Sequence, residues 1–489
     1  MPSDRDGHAT KLITVNFYTR KEIMTNSAQA NFSRRDFLRS ASFVFAGGLL
    51  AACGPSRPIS PDAPADGATE GQPAAPVASN PNAVQWWVGW GELVPMFDSF
   101  KQMPRFKELM GNIDVEMKPS IADEALFTSL AAGTPPDIAS NVSYLDLFSR
   151  DVCLDVSAWV AGSSVVKQEN FIPGNWESGI YNGKQYGIPT LECFVRFGLN
   201  YNARMIEKAG LDPDKPPVTW EETLEWHRQL TTYDQAGNLL TIGLDPMDAE
   251  GSAIGDGFLA ARSWGFQWFD PATGQFNLAN EKMAAAFDTY AEFYKIVGVD
   301  KMSGMRQVAA NETWGGSFNA EVQAMIIEGY WHPGETTAQK PEVAQFNRAS
   351  WVPVPDGRQD VKIQGTGGHN VVFFKDAKQT EAGFKFAEFL TTDEVCDKVF
   401  RELGWLPAYK PFLDNADPST YPGLEFYFNS VKEATDMQGA IPCPITSFVQ
   451  TTYDQLSDEV NRGNMTGANA AQEFQDRCAA EWKNSGFGA

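Results

Sequence analysis

Val84-Gln85-Trp86-Trp87-Val88, followed at once by Gly89-Trp90-Gly91-Glu92, opens the part of this chain that packs a core. Two valines and two tryptophans in five residues predict a buried strand, and the glycines beyond it end the run. A helix is predicted over Phe97 to Met110 and a second strand over Ile113 to Met117. Leu126, Leu130 and Ala131 share a helical spacing, which predicts a helix over Asp123 to Ala131, stopped by Gly133-Thr134-Pro135-Pro136. Strands alternating with helices predict an α/β fold with a parallel sheet, because parallel neighbours need a crossover long enough for a helix.

Upstream of that strand the sequence changes character. Residues 1–23 are polar and mixed in charge and read as an upstream extension, since Met24 opens a stretch resembling a complete signal peptide. Ser33-Arg34-Arg35-Asp36-Phe37-Leu38-Arg39 sets two adjacent arginines before Phe-Leu, ahead of the apolar run Ala41 to Ala51. This is similar to a twin-arginine export signal, and the run is shorter than the roughly 20 apolar residues of a permanent span. Leu50-Ala51-Ala52-Cys53 resembles the lipobox of bacterial lipoproteins, which implies that Cys53 is acylated and begins the mature chain. Residues 24–52 are thus expected to be a twin-arginine lipoprotein signal peptide. Residues 53–83, rich in Pro, Ala, Ser and Asp, are expected to form a semi-extended tether. The rest of the chain is then extracytoplasmic, held at the cell membrane by lipid alone.

The net charge of −23 includes a leader that is itself basic, with seven Lys and Arg against four Asp and Glu over residues 1–52, so the mature part stands near −26. A nucleic acid would have to meet a basic face, and no Lys/Arg-rich tract follows the leader. The region from Val84 to Ala489 is long enough for two domains. Besides Cys53 there are Cys153, Cys193, Cys396, Cys443 and Cys478, without paired spacing. They read as small buried hydrophobes, with one disulfide left open by an oxidising compartment.

Ala131-Ala132-Gly133-Thr134-Pro135-Pro136-Asp137-Ile138 and Tyr181-Asn182-Gly183-Lys184-Gln185-Tyr186-Gly187-Ile188-Pro189 carry a resemblance. So do Asn200-Tyr201-Asn202, Ala209-Gly210-Leu211 and Pro217-Val218-Thr219-Trp220-Glu221-Glu222. In order and spacing these blocks are similar to the family 1 extracellular solute-binding proteins, the sugar receptors of ABC importers that include maltose-binding protein. Thr219 with Glu222 also reads on its own as a capping box. Later matches are Phe318 to Gly329 with Tyr330-Trp331, the strand-like Trp351-Val352-Pro353-Val354-Pro355, Gly367-Gly368, the helix Thr380 to Leu390, a second capping box from Thr391 to Glu394, and Gly404-Trp405-Leu406-Pro407.

The resemblance implies a two-lobe periplasmic-binding-protein fold of the class II type, with the ligand cleft between discontinuous lobes. It places the chain crossings near Phe197, Trp351 and Tyr409, giving an N-terminal lobe of 84–197 plus 352–409 and a C-terminal lobe of 198–351 plus 410–489. It also implies a sugar ligand and the permease subunits of an ABC importer as partners.

A sugar offers hydroxyls on its rim and C–H groups on its faces, so a site for it needs polar side chains together with flat aromatics. Trp331 beside Tyr330 resembles the family segment whose tryptophan stacks on the sugar. Trp90 and Glu92 follow the first strand, where the family places polar contacts. Glu192 falls near a family carboxylate, Asn141 and Tyr144 follow the Asp137-Ile138 strand, and Trp264, Trp268 and Phe448 are further candidate walls. Gly367 and Gly368 suit a close backbone approach; Asp137 and His369 read as structural. Gly255-Asp256-Gly257-Phe258-Leu259-Ala260 reads as a loop and helix start. No cofactor or metal is expected: the sequence holds no metalloprotease motif, no Cys-x-x-Cys and no Gly-x-Ser-x-Gly elbow. Two rival readings stay open: a lipid-anchored glycoside hydrolase, using two carboxylates, and the same fold binding a cation such as a polyamine, which carboxylates and aromatic faces also suit.

Overall fold

The computed structural model describes Asn80, residues 82–309 and residues 315–487. The signal peptide, the lipobox with Cys53 and nearly all of the tether lie outside the described residues.

Val84–Val88 is a strand whose side chains alternate: Val84, Trp86 and Val88 enter the core and Gln85 and Trp87 face the other way. It is the second strand of a five-stranded sheet in the order Val115–Lys118, Val84–Val88, Ile138–Ser140, Asn370–Phe373, Gly187–Pro189. The first three run parallel, joined by helical crossovers. Asn370–Phe373 is antiparallel to both its neighbours. The sheet is thus mixed where the chain returns late to complete it, which the parallel prediction drawn from residues 84–136 could not include.

The second sheet has the order Asn347–Ser350, Gly198–Asn202, Gln323–Glu328, Leu239–Leu244, Thr232–Tyr233. Gly198–Asn202 pairs antiparallel on both sides, and Gln323–Glu328 runs parallel to Leu239–Leu244. Each sheet has its own core. The first buries Trp86, Phe100, Phe386 and Phe389; the second buries Trp220, Phe258, Tyr290 and Phe474. At ~25 cal/mol per Å² of apolar surface, each such aromatic contributes several kcal/mol before entropy is subtracted. The helices Lys410–Leu413 and Leu424–Glu433 send Phe412, Leu413, Leu424 and Tyr427 into the first core. The helices Thr446–Asn461 and Gly467–Asn484 pack in the second. A short parallel ladder of Ile363–Thr366 with Asp436–Gly439 and a bridge from Val195 to Thr366 lie where the chain passes from one sheet to the other.

Local chemistry explains the elements. Ile180–Tyr181 and Lys184–Gln185 form a hairpin whose Asn182 and Gly183 both take positive φ, 49° and 76°, as a two-residue turn matched to strand twist requires. Thr219 and Glu222 form the reciprocal capping box at the start of Trp220–Leu230. The helices Asp123–Ala131 and Thr380–Leu390 have the predicted limits. Asp137 is buried and accepts the backbone N–H groups of Gln85, Lys378 and Gln379 at 2.8, 2.9 and 2.6 Å, which is a structural role. All five described cysteines are free and buried.

Three predictions are corrected. The helix expected over Phe97 to Met110 is two helices, Val94–Gln102 and Pro104–Met110, because Pro104 lacks an N–H and holds Met103 extended. The box expected from Thr391 to Glu394 does not form; Thr392 is the N-cap, and its hydroxyl donates back to the Phe389 carbonyl. Trp351 to Pro355 is not a sheet strand. The ladder ends at Ser350, and the prolines leave one bridge, Thr219 to Val354.

Candidate functional site

A cavity of about 210 Å³ lies between the two sheet systems. The first supplies Asp123, the run Asn141 to Asp146, Gly368 and His369; the second supplies Gly255, Asp256, Thr446 and Ser447. Asn141 to Ser143 form the turn after the strand Ile138–Ser140, and Tyr144 starts the helix Tyr144–Ser149. The site thus sits beyond the carboxyl end of a strand, where ligands of open α/β sheets gather. Gly368 has φ 134°, and a Cβ there would come within 2.7 Å of Cys193 Cα, so only glycine lets this wall close.

The lobes touch across the cavity. Ser447, at the N-terminal end of Thr446–Asn461, donates its hydroxyl to Asp146 Oδ2. Burial pushes the Asp146 carboxyl up to about 6, although the Ser447 hydroxyl works against the shift. Burial also raises the Tyr144 phenol, and nearby Asp256 adds to it.

Behind the cavity lies Arg196, buried on the first crossing segment. Its Nη1 is 3.1 Å from Glu192 Oε1, and its Nη2 is 3.0 Å from Asp256 Oδ1 and 3.5 Å from Glu250 Oε1. Burial alone would lower the guanidinium pKa, but the attraction of Asp256, Glu192 and Glu250 outweighs it and the value is raised. Burial lifts Glu192 to about 7 despite Arg196 and the Tyr330 hydroxyl. Glu250 is raised by burial and by its acidic neighbour Asp256. His369 Nε2 is 3.2 Å from Glu192 Oε2, and burial with the nearby Arg196 lowers the imidazole to about 3, so the ring is neutral.

The sequence candidates divide. Asn141, Tyr144 and Gly368 line the cavity, and His369 joins them. Trp90 packs edge-on against His369, 4.2 Å between ring centres, and also against Trp405; Glu92 lies two residues further along the same turn. Glu192 is one shell behind the wall, on Arg196. The Tyr330 hydroxyl is fully buried between Glu192 Oε1 and the Leu406 carbonyl. Trp331 starts the helix Trp331–Gln339; its ring folds over Gly329 and lies 4.3 Å beneath the Arg196 guanidinium, inside the first core. Trp264 stacks on Trp220 and Trp268 packs against Phe258, both within the second core and away from the cavity lining. Phe448 is partly exposed, one residue past Ser447.

Sequence reasoning missed Arg196, Glu250, Asp256, Asp146 and Ser447. Two had a readable signal. Glu192 and Arg196 stand four apart in Leu191-Glu192-Cys193-Phe194-Val195-Arg196-Phe197, and charges inside an apolar run are buried only when paired. Asp256 lies in the segment read as loop and helix start, and the helix Leu259–Trp264 does begin there.

Fold and site together define a two-lobed α/β receptor with a solute cavity between its lobes. The model of the bacterial extracellular solute-binding proteins matches residues 96–425, and the chain belongs to that family. Among solved structures, CpMnBP1 with mannotriose bound is similar at a TM-score of 0.70 and 16% identity, covering 81% of this chain and 99% of that one. The sugar-binding protein MalE from the phytopathogen Xanthomonas citri gives 0.62 and 19%, covering 83% and 99%. An ABC transporter solute-binding protein from Thermotoga lettingae TMO, bound with alpha-D-tagatose, gives 0.64 and 19%, covering 81% and 100%. Such identities establish a shared fold. No curated protein sequence matches significantly. Among the described residues, no helix is long and apolar enough to cross a membrane.

Proposed function

We propose that this protein captures a sugar in the inter-lobe cavity, outside the cytoplasm, and delivers it unchanged to the permease subunits of an ABC importer. The observation that carries the reading is that one small polar cavity is lined from both lobes and bridged by the Ser447–Asp146 hydrogen bond. A solute touching both walls binds the closed form better than the open one, so it shifts the population toward closure. The sugars bound by CpMnBP1 and the Thermotoga lettingae protein support the ligand class. The hinges are proposed near Phe197, as expected, and at the ladder of Ile363–Thr366 with Asp436–Gly439 rather than near Trp351 and Tyr409, because Val352, Val354 and Ile363 pack in the second core and Phe412, Leu413, Leu424 and Tyr427 in the first.

Asn141, Tyr144 and Gly368 are proposed as direct ligand contacts, with Trp90, Glu92 and Phe448 at the rim. Trp331, Tyr330 and Glu192 are proposed to act through Arg196. Attachment to the membrane is proposed through acylated Cys53. The test is calorimetry with a panel of mono- and oligosaccharides, joined to small-angle scattering. Binding should shrink the radius of gyration and leave the sugar intact. Hydrolysis products in the sample would turn the reading toward an enzyme, and binding with no change in radius would remove the closure mechanism.

A further inference from the structure

Three aspartates, Asp123, Asp146 and Asp256, face the cavity from both lobes, and no lysine or arginine is among its lining residues. Two of the three have their charge met. Asp123 accepts the Ser143 backbone N–H and hydroxyl, and Asp256 pairs with Arg196. Asp146 differs. It is 4% exposed, its Oδ2 takes the Ser447 hydroxyl, and its Oδ1 has no hydrogen-bond partner among the described residues. The charge of Arg150 acts on it in the favourable direction, but that guanidinium lies over the Phe127 ring at 4.7 Å and not in an ion pair with Asp146. The other imidazole or guanidinium near the cavity cannot help, since His369 is neutral and Arg196 is already surrounded by three carboxylates.

A buried carboxylate without a directly paired counter-charge is unfavourable, and what relieves it, short of protonation, is a cation. At about 210 Å³ the cavity lies below the range of pockets that hold drug-sized ligands, which suits one ring. We infer that the solute captured in this cleft is a single ring bearing a protonated amine, an amino sugar or aminocyclitol, and that Asp146 receives the ammonium. Asn141 and Tyr144 then meet its hydroxyls. This inference rests on the sugar reading of the same site and sharpens it from a neutral to a cationic sugar.

The experiment is calorimetric titration of the purified full-length mature protein at pH 7.5 with matched pairs: glucosamine and glucose, galactosamine and galactose, mannosamine and mannose. At least one pair should show an amine preference of about tenfold or more, which an Asp146→Asn variant should reduce to within about twofold. Asp146→Glu should restore part of it. Ser447→Ala, which keeps the carboxylate, should retain the preference even if both members bind more weakly; this holds the test open should the asparagine variant fold poorly. Equal affinities within every pair, or no binding of any amine-bearing sugar, overturn the inference. Neutral sugars binding alone would overturn it and leave the sugar receptor standing. Putrescine or spermidine binding with no sugar of either kind would overturn both.

Discussion

Ser447 and Asp146 are 301 positions apart in the chain, yet the serine hydroxyl donates to the aspartate across the cavity and joins the two lobes. A hydrogen bond to a charged group contributes ~1.5–3 kcal/mol, and in the proposed closure it forms as the lobes come together. Ser447→Ala should therefore weaken ligand binding by roughly tenfold to a hundredfold with little loss of stability in either lobe. Calorimetry together with thermal melting of the same sample checks both halves.

Arg196 anchors the first crossing by meeting Glu192 on one side and Asp256 and Glu250 on the other. Removing one partner of a buried ionic cluster leaves charges uncompensated and costs ~3–5 kcal/mol. Arg196→Ala should lower unfolding stability by about that amount, read by urea denaturation. Arg196→Lys should recover only part, because an ammonium cannot serve two sides as the planar guanidinium does. Full stability in the alanine variant would show the cluster to be dispensable.

The pH dependence of stability follows from Asp146. Its folded pKa, about 6, lies above the ordinary aspartate value, so the folded state holds the proton more tightly than the unfolded chain. The resulting stabilisation is complete below pH ~4 and is lost as pH rises through about 6. The groups that set the shift besides burial are Ser447, Arg150 and Asp123. Asp146→Asn should remove this slope, gaining ~1–3 kcal/mol on the wild type between pH 4 and pH 7 in the absence of ligand. Parallel denaturation curves for the two proteins across that range would contradict the assignment.

Trp331 offers a clean separation of roles. Its ring supports Arg196 from below and packs against Tyr330, so Trp331→Ala opens a void in the first core. Loss of ~3–5 kcal/mol of stability is expected. Affinity should fall as well, through displacement of Arg196. A folded variant with normal affinity would exclude Trp331 from the binding machinery and leave Trp90 or Phe448 as the aromatic contact.

Membrane attachment is tested at Cys53. A Cys53→Ser variant should move from the membrane fraction to the soluble extracytoplasmic fraction, because a stable anchor needs the acyl chains. Continued membrane association would argue against acylation at that residue.

Much of the architecture was written in local pattern. Val84-Gln85-Trp86-Trp87-Val88 alternates as a strand must, Thr219 and Glu222 cap a helix as spaced, and Asn182-Gly183 sits in a turn that favours residues able to take positive φ. These depend on neighbours a few residues apart, so the sequence alone determined them. The cavity depends on something else. Asp146 meets Ser447, and Arg196 gathers Glu192, Glu250 and Asp256, only because two sheets are each completed by distant segments. A tryptophan does not declare from its neighbours whether it will face solvent or core. Trp331, Trp264 and Trp268 were all candidate walls in sequence, and their burial, beneath Arg196 and against Trp220 and Phe258, was decided by packing. Charge pairing and aromatic burial are set by the three-dimensional environment, since desolvation is a property of everything that surrounds a group.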